Sequence, residues 1–278
     1  MLRVVRTRTE LRAALASLPR PVGLVPTMGA LHDGHRSLIE RARRENATAL
    51  ATIFVNPKQF NNPADLVAYP RAEERDLELC AASGADLVFA PPLVEVYPPG
   101  FDTTVRVGGL GMKLEGEHRP GHFDRVATVV AILFSLAGAE RAYFGQKDAQ
   151  QLLIVRRLVR DLGIVTEVVA CPTVRDPDGL AISSRNVRLT APQRAAAPVL
   201  HRALRTAAAR WAAGGRSGES LRAAMREVLA AEPLADPEYV SVADPATLDE
   251  LNEVAGPALL SMAVRFGEIR LIDNVPLG

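Results

Sequence analysis

Apolar runs short enough to be strands alternate with segments of helical spacing through the first half of the chain, and that alternation restricts the fold more than any other property. Val22 to Val25 is the first run; the stretch Pro26 to His35, PTMGALHDGH, follows it, and Leu38, Ile39 and Ala42 then recur at helical spacing. Ala49 to Val55 reads as a second strand, Arg71 to Ser83 as a helix ended by Gly84, and Asp86 to Ala90 as a third strand stopped by Pro91 and Pro92. Asp124 to Ala137 carries an unbroken helical series, Val126, Val129, Val130, Leu133, Phe134 and Ala137. Ala142 to Gly145 is a fourth strand, and a helix with Leu152, Val155, Val159 and Leu162 directed inward leads to the strand Thr166 to Cys171. A short amphipathic helix, Thr9 to Leu18, precedes them all. Continuous hydrophobicity is the mark of strands covered on both faces. Right-handed βαβ crossovers then predict an α/β protein with a Rossmann-like, doubly wound parallel sheet.

After Pro172 the pattern changes. A polar loop, VRDPDGLAISSRN, gives way to an Ala/Arg-rich helical region from Pro192 to about Ala213, a Gly/Ser break from Gly214 to Ser220, and a helix from Leu221 to Ala231. Strand alternation returns at Tyr239 to Val242, Leu259 to Phe266 and Glu268 to Ile272. The chain thus divides into a Rossmann-like domain over 1–173 and a smaller C-terminal α+β domain over 174–278.

With 33 basic and 32 acidic residues the net charge is +1, which calls for neither nucleic acid nor membrane as a partner. No stretch approaches the roughly 20 apolar residues of a membrane span, and MLRVVRTRTEL has no apolar run of signal-peptide length. A cytoplasmic protein is expected, with Cys80 and Cys171 as free buried thiols.

In such a sheet ligands sit at the carboxyl ends of the strands, where the HDGH turn, the loop after Val55 and the loop after Phe144 all lie. Gly29 and Gly34 let the backbone turn tightly or approach a ligand closely. With a helix beginning near Gly34, its N–H groups and dipole would face the same space as His32 and His35, a setting for phosphate and for charge that grows on a transferring phosphoryl group. Taken alone, an HxxH pair also fits a metal-ligand pair or a solvated turn, although no Cys or Glu stands nearby at ligand spacing. In FVNPKQF, Gln59 offers an amide to a hydroxyl or carboxylate, against the plainer reading of a solvated turn. In GQKDAQQ, Gly145 permits close approach, Lys147 supplies charge for phosphate, Asp148 can cap a helix or accept from ribose, and Gln151 resembles Gln59. ISSRN brings hydroxyl, hydroxyl and guanidinium together, which can wrap a triphosphate or form an ordinary turn. Before the long helix, Arg119 and His122 read as a rim charge and as a cap or crevice wall.

HDGH resembles the HIGH element of the nucleotidyltransferase and class I aminoacyl-tRNA synthetase superfamily. PTMGALHDGH, FVNPKQF, RPGHF, GQKDAQQ and ISSRN, in this order, resemble the pantothenate synthetase (pantoate beta-alanine ligase) family over nearly the whole chain. The resemblance implies ATP-dependent condensation of pantoate with beta-alanine through a pantoyl adenylate, with magnesium accompanying ATP as co-substrate, no tightly bound organic cofactor, and a homodimer formed through the N-terminal domain. It implies His35, His32 and Lys147 as catalytic residues. Met28, Gly29, Ala30, Leu31, His32, Asp33, Gly34 and His35 would line the ATP site. Gly145, Gln146, Lys147 and Asp148 would hold ribose and phosphate, Val174 and Ile182 the adenine edge, and Ser183, Ser184 and Arg185 the phosphates. Gln59 and Gln151 would hold pantoate, Gln59 would also border beta-alanine, and Asp76 is the candidate magnesium ligand. Ala149, Arg125 and Ile182 depart from the usual pattern, at positions where local packing rather than a reacting group is concerned. A plain nucleotidyltransferase would share the HDGH turn without needing the two glutamines.

Overall fold

Local signals start the elements and the sheet orders them. Thr7 accepts from Glu10 N while the Glu10 carboxylate accepts from Thr7 N, a capping box that opens the first helix. In the computed structural model, which describes residues 2–61 and 63–278, the elements run in chain order as follows. β1 (Arg3–Val5), α1 (Arg8–Ser17), β2 (Val22–Thr27), α2 (Asp33–Glu45), β3 (Thr48–Ile53), α3 (Pro63–Val67), α4 (Glu73–Ala82) and β4 (Leu87–Phe89) come first. α5 (Leu93–Val96), α6 (Glu115–His118), α7 (His122–Ala137), β5 (Arg141–Gly145), α8 (Ala149–Leu162) and β6 (Glu167–Cys171) complete the α/β half. α9 (Ala191–Ala196), α10 (Val199–Ala212), α11 (Gly218–Ala230), β7 (Asp236–Ala243), β8 (Ala258–Phe266) and β9 (Ile269–Leu277) follow.

The chain forms two compact units. The first extends to Met112 and includes Gly116–Gln146 and Gln150–Pro172. Its sheet has six strands in the order β1-β4-β3-β2-β5-β6, all parallel. Alternate strand residues serve opposite faces. Leu24, Leu50, Leu87, Phe89 and Phe144 pack with α1, α7 and α8, while Val25, Ala49, Ala51, Val88 and Tyr143 pack with α2 and α4. From β2 the chain moves to one side for β3 and β4 and returns to the other side for β5. The crevice of a doubly wound sheet opens at such a reversal, outside the carboxyl ends of β2 and β5.

The second unit comprises Lys113–Glu115, Lys147–Ala149 and Thr173–Gly278. β7, β8 and β9 form an antiparallel sheet. Leu200, Leu204, Leu221, Met225 and Leu229 from α10 and α11 bury against Leu260, Met262, Val264 and Leu271 of the strands. Arg270 donates to both carboxylate oxygens of Glu115, at 2.6 and 2.7 Å, and to Glu238 at 2.6 Å.

Three expectations need correction. β1 has no counterpart among the expected elements; the helical region after Pro192 is broken into α9 and α10 around Pro198, which lacks an N–H; and Leu162, at the end of α8, is 57% exposed. Among the described residues no helix is long and apolar enough to cross a membrane.

Candidate active site

β2 delivers the chain into the Pro26–His35 turn. There Gly29 and then Ala30 take left-handed backbone conformations, φ 75° and 51°. That region suits glycine and strains alanine, so something must hold it. Asp76, in the first turn of α4, does so: its Oδ2 accepts from Ala30 N at 2.9 Å and its Oδ1 from Leu31 N at 2.7 Å. A Cβ on Gly29 would stand 2.9 Å from Asp76 Oδ2. Space as well as φ therefore demands glycine there.

The helix that follows begins at Asp33, with His32 as its N-cap. His32 Nδ1 accepts from Gly34 N at 3.2 Å, so this ring carries its proton on Nε2 and offers that N–H as its donor. A Cβ on Gly34 would come within 2.9 Å of His32 Cε1, which accounts for the second glycine of the motif. The rings of His32 and His35 stand with centroids 4.1 Å apart, tilted by 33°. The turn thus brings the two imidazoles together at the carboxyl end of β2.

Asp76 and Leu31 stand in settings that differ from the ones expected of them. Asp76 is 2% exposed and both of its oxygens accept backbone N–H groups, a poor fit to a magnesium ligand, which needs an oxygen with room for coordinated waters. Among the described residues no group of three or more His, Cys, Asp or Glu is arranged to hold a metal ion. Asp76 is the anchor of the turn instead. Leu31, expected at the nucleotide, is 4% exposed and packs in the core with Leu38 and Ile39.

The loop after β3 is a short 3-10 turn, Pro57–Gln59, capped by Asn56. Asn56 is fully buried; its Oδ1 accepts from Lys58 N at 3.2 Å and from the Tyr97 hydroxyl at 3.1 Å. Burial pushes the Tyr97 hydroxyl up to about 12, so it stays a donor at neutral pH. Lys58 Nζ lies 4.4 Å from the Tyr97 ring centroid and 4.7 Å from that of Phe101, which adds cation–π attraction to the turn. Gln59 is buried, and its carbonyl oxygen accepts from His122 Nδ1 at 3.1 Å and from Arg119 Nη2 at 3.4 Å. Gly121, not His122, caps α7; His122 and Arg119 steady the backbone of Gln59.

Beyond β5, Gln146–Asp148 form a 3-10 turn ahead of α8. A Cβ on Gly145 would meet nothing within 4 Å, so packing does not require glycine there. Gln151 is half-buried in the first turn of α8, whereas its neighbour Gln150 is buried and donates to the Leu110 carbonyl at 2.7 Å.

In the second unit the segment expected as a polar loop is a hairpin. Arg175 pairs with Ala181, and Ile182 N donates to Val174 O at 3.0 Å, which joins the two residues expected at the adenine edge. Arg194 donates to Asp176 at 2.9 Å and to Asp178 at 2.5 Å and so braces the tip. Ser183, Ser184 and Arg185 follow, half-buried, in a turn closed by Asn186 N donating to Ser183 O at 3.0 Å. Lys147 is half-buried, and its carbonyl oxygen accepts from Asn274 Nδ2 at 2.8 Å.

The family model described as pantoate-beta-alanine ligase matches residues 3–276. The chain belongs to the pantoate-beta-alanine ligase family. It is 57% identical over 276 residues to the pantothenate synthetase of Roseiflexus sp. (strain RS-1), with 99% of each chain covered. Its structure is similar to the crystal structure of pantothenate synthetase from Thermus thermophilus, at 51% identity and TM-score 0.94, covering 98% of both chains. It is also similar, at 33% identity and TM-score 0.81 over 99% of this chain and 97% of the other, to pantoate-beta-alanine ligase from Francisella tularensis complexed with beta-gamma ATP and beta-alanine.

As a member of this ligase family the chain is an ATP-using enzyme that forms an amide between pantoate and beta-alanine. Of the departures from the family pattern, Ala149 only begins α8, Arg125 lies in α7 beside Gly121, and Ile182 closes the hairpin. A buried polar group that sequence reasoning did not single out is the Asn56 amide. Its Nδ2 is buried with no hydrogen-bond partner among the described residues, one turn from Gln59. In sequence the asparagine of FVNPKQF reads only as a strand end; a cap residue whose second polar group is left over is the available signal.

Proposed function

We propose that the reaction proceeds through a pantoyl adenylate. A carboxylate oxygen of pantoate attacks the α-phosphorus of ATP, the bond to the β-phosphate breaks and pyrophosphate leaves. The amine of beta-alanine then attacks the acyl carbon, its nitrogen gives up one proton to water, and AMP departs with that carboxylate oxygen. The observation that carries this reading is the imidazole pair, 4.1 Å between centroids, on a turn fixed by Asp76 at the carboxyl end of β2.

His32, through Nε2–H, and His35 stabilise the charge that grows on the α-phosphoryl oxygens, and Lys147 adds its ammonium to the same task. Met28, Gly29, Ala30, Asp33 and Gly34 carry this part of the nucleotide site as backbone. Gly145, Gln146 and Asp148 serve ribose and phosphate, Val174 and Ile182 the adenine edge, and Ser183, Ser184 and Arg185 the remaining phosphates. Gln59 and Gln151 hold pantoate, Gln59 also borders beta-alanine, and the orphan Nδ2 of Asn56 joins Gln59 as a donor to pantoate. An unpaired buried amide costs about 1–3 kcal/mol, which a substrate oxygen would recover.

ATP is taken as its magnesium complex, with the metal held by phosphate oxygens and water rather than by Asp76. Residues 1–173 work as the nucleotide- and pantoate-binding domain and 174–278 as a lid that keeps water from the mixed anhydride. The enzyme acts as a cytoplasmic homodimer with small-molecule partners, ATP, pantoate and beta-alanine. To test this, protein, ATP, magnesium, pantoate and beta-alanine are incubated and AMP and pyrophosphate followed with each component omitted in turn. Exchange of pyrophosphate into ATP that needs pantoate but not beta-alanine is the expected result. Exchange that needs beta-alanine as well would refute a free-standing adenylation step.

A further inference from the structure

Asp273 and Asn274 are consecutive polar residues in β9, 3% and 4% exposed, where the strand pairs with Met262 and Ser261 of β8. Polar groups so deeply buried are costly unless their bonds are made. Successive residues of a strand point to opposite faces, so the pair addresses two surfaces of the sheet. Asp273 receives Arg175 through two bonds, Nη1 to Oδ2 at 2.6 Å and Nη2 to Oδ1 at 2.8 Å. Arg175 Nη1 also donates to the Gly179 carbonyl at 3.0 Å, which ties down the hairpin from which Ser183 to Arg185 extend. Asp273 Oδ1 accepts in addition from Asn274 N at 2.8 Å. Asn274 Nδ2 then donates to Lys147 O at 2.8 Å.

We propose that Asn274 is a positioning residue for Lys147, and that Asp273 links it to the hairpin so that one dipeptide of the last strand sets both phosphate-binding segments of this unit. This rests on the reading that Lys147 serves the α-phosphate. A hydrogen bond on its carbonyl fixes the backbone from which the ammonium extends. Without it the chain at 146–148 rotates more freely and the ammonium is less often in its working place. Such a loss falls on turnover rather than on ground-state binding.

A double-mutant cycle tests this through pantoate-dependent exchange of labelled pyrophosphate into ATP, with a melting temperature for each variant. Lys147→Ala alone is expected to lower exchange about 100-fold or more. Asn274→Ala is expected to lower kcat about 10-fold in the parent, with KM for ATP and pantoate within about twofold, and to lower it less than about twofold in the Lys147→Ala background. Asn274→Leu is of similar size but has no donor, and is expected to behave as Asn274→Ala does. Equal fold losses in the two backgrounds, no loss in the parent, or parent-like turnover of Asn274→Leu would overturn the positioning role while leaving Lys147 its own. Near-parent turnover of Lys147→Ala would overturn the reading of Lys147 and this inference with it. Where Asn274→Ala does not fold, Asn274→Leu takes its place in the same cycle with the same expected outcomes.

Discussion

The turn after β2 and the hairpin before the ISSRN segment are both held by aspartates, but by opposite means. Asp76 takes two backbone N–H groups, which have no side-chain freedom to lose, and its charge lies in the first turn of α4, where the helix dipole favours it. The hairpin is held by guanidinium groups: Arg175 on buried Asp273, and Arg194 on Asp176 and Asp178, whose side chains are about a third or more exposed. Flexible, partly hydrated side chains make weaker anchors than fixed amides. The first region is therefore built to be rigid, and the tip of the second is built to yield.

The sharpest way to break this contrast is Asp76→Ala. It leaves the N–H groups of Ala30 and Leu31 without acceptors, which costs about 3 kcal/mol of stability by denaturant titration. It also frees both imidazoles to move, so turnover should fall by more than about 100-fold. Raising magnesium should restore nothing; recovery with magnesium would return Asp76 to the metal. Next in size, His35→Ala and Lys147→Ala should each lower turnover by about 100-fold, or about 3 kcal/mol of transition-state stabilisation, with unchanged melting. Near-normal turnover of either variant would remove it from the phosphate.

Arg194→Ala should cost about 1 kcal/mol or less and lower turnover by only about threefold, because its ion pairs are partly hydrated. A loss as large as that of Asp76→Ala would erase the distinction between rigid turn and yielding hairpin. The smallest effect concerns His201 of α10, whose ring lies against the hairpin where a Cβ on Gly179 would be 2.6 Å from its Cδ2. Burial, with Arg175 adding to it, lowers its pKa below the ordinary 6.5. The neutral ring thus contributes stability that is present above about pH 6.5 and lost as pH falls through the lowered value. His201→Gln should melt with a shallower pH dependence than the parent between about pH 7 and about pH 5. Identical slopes would show that the ring has no part in it.

What can be read from the sequence follows from how far apart the interacting residues lie. The HDGH turn is legible because its glycines, histidines and flanking periodicities are contiguous, and the doubly wound sheet because its strands are uniformly apolar. Asp76 lies 46 residues from Ala30, and Asn274 lies 127 residues from Lys147, so neither anchor leaves a local trace. β1 is three residues long and buries only Val5, too little for any period to register. The interruption at Pro198 is masked in sequence by the alanines around it, which favour helix on both sides. His122 and Arg119 stand out in sequence, but their partner is a backbone carbonyl, which side-chain chemistry does not advertise.

The most direct measurement follows oxygen. Pantoate labelled with 18O in its carboxylate is turned over with ATP and beta-alanine, and the products are weighed by mass spectrometry. Formation of a pantoyl adenylate predicts one labelled oxygen in AMP and none in pyrophosphate. Label in inorganic phosphate or pyrophosphate, with AMP unlabelled, would contradict attack at the α-phosphorus and with it the work assigned to His35 and Lys147.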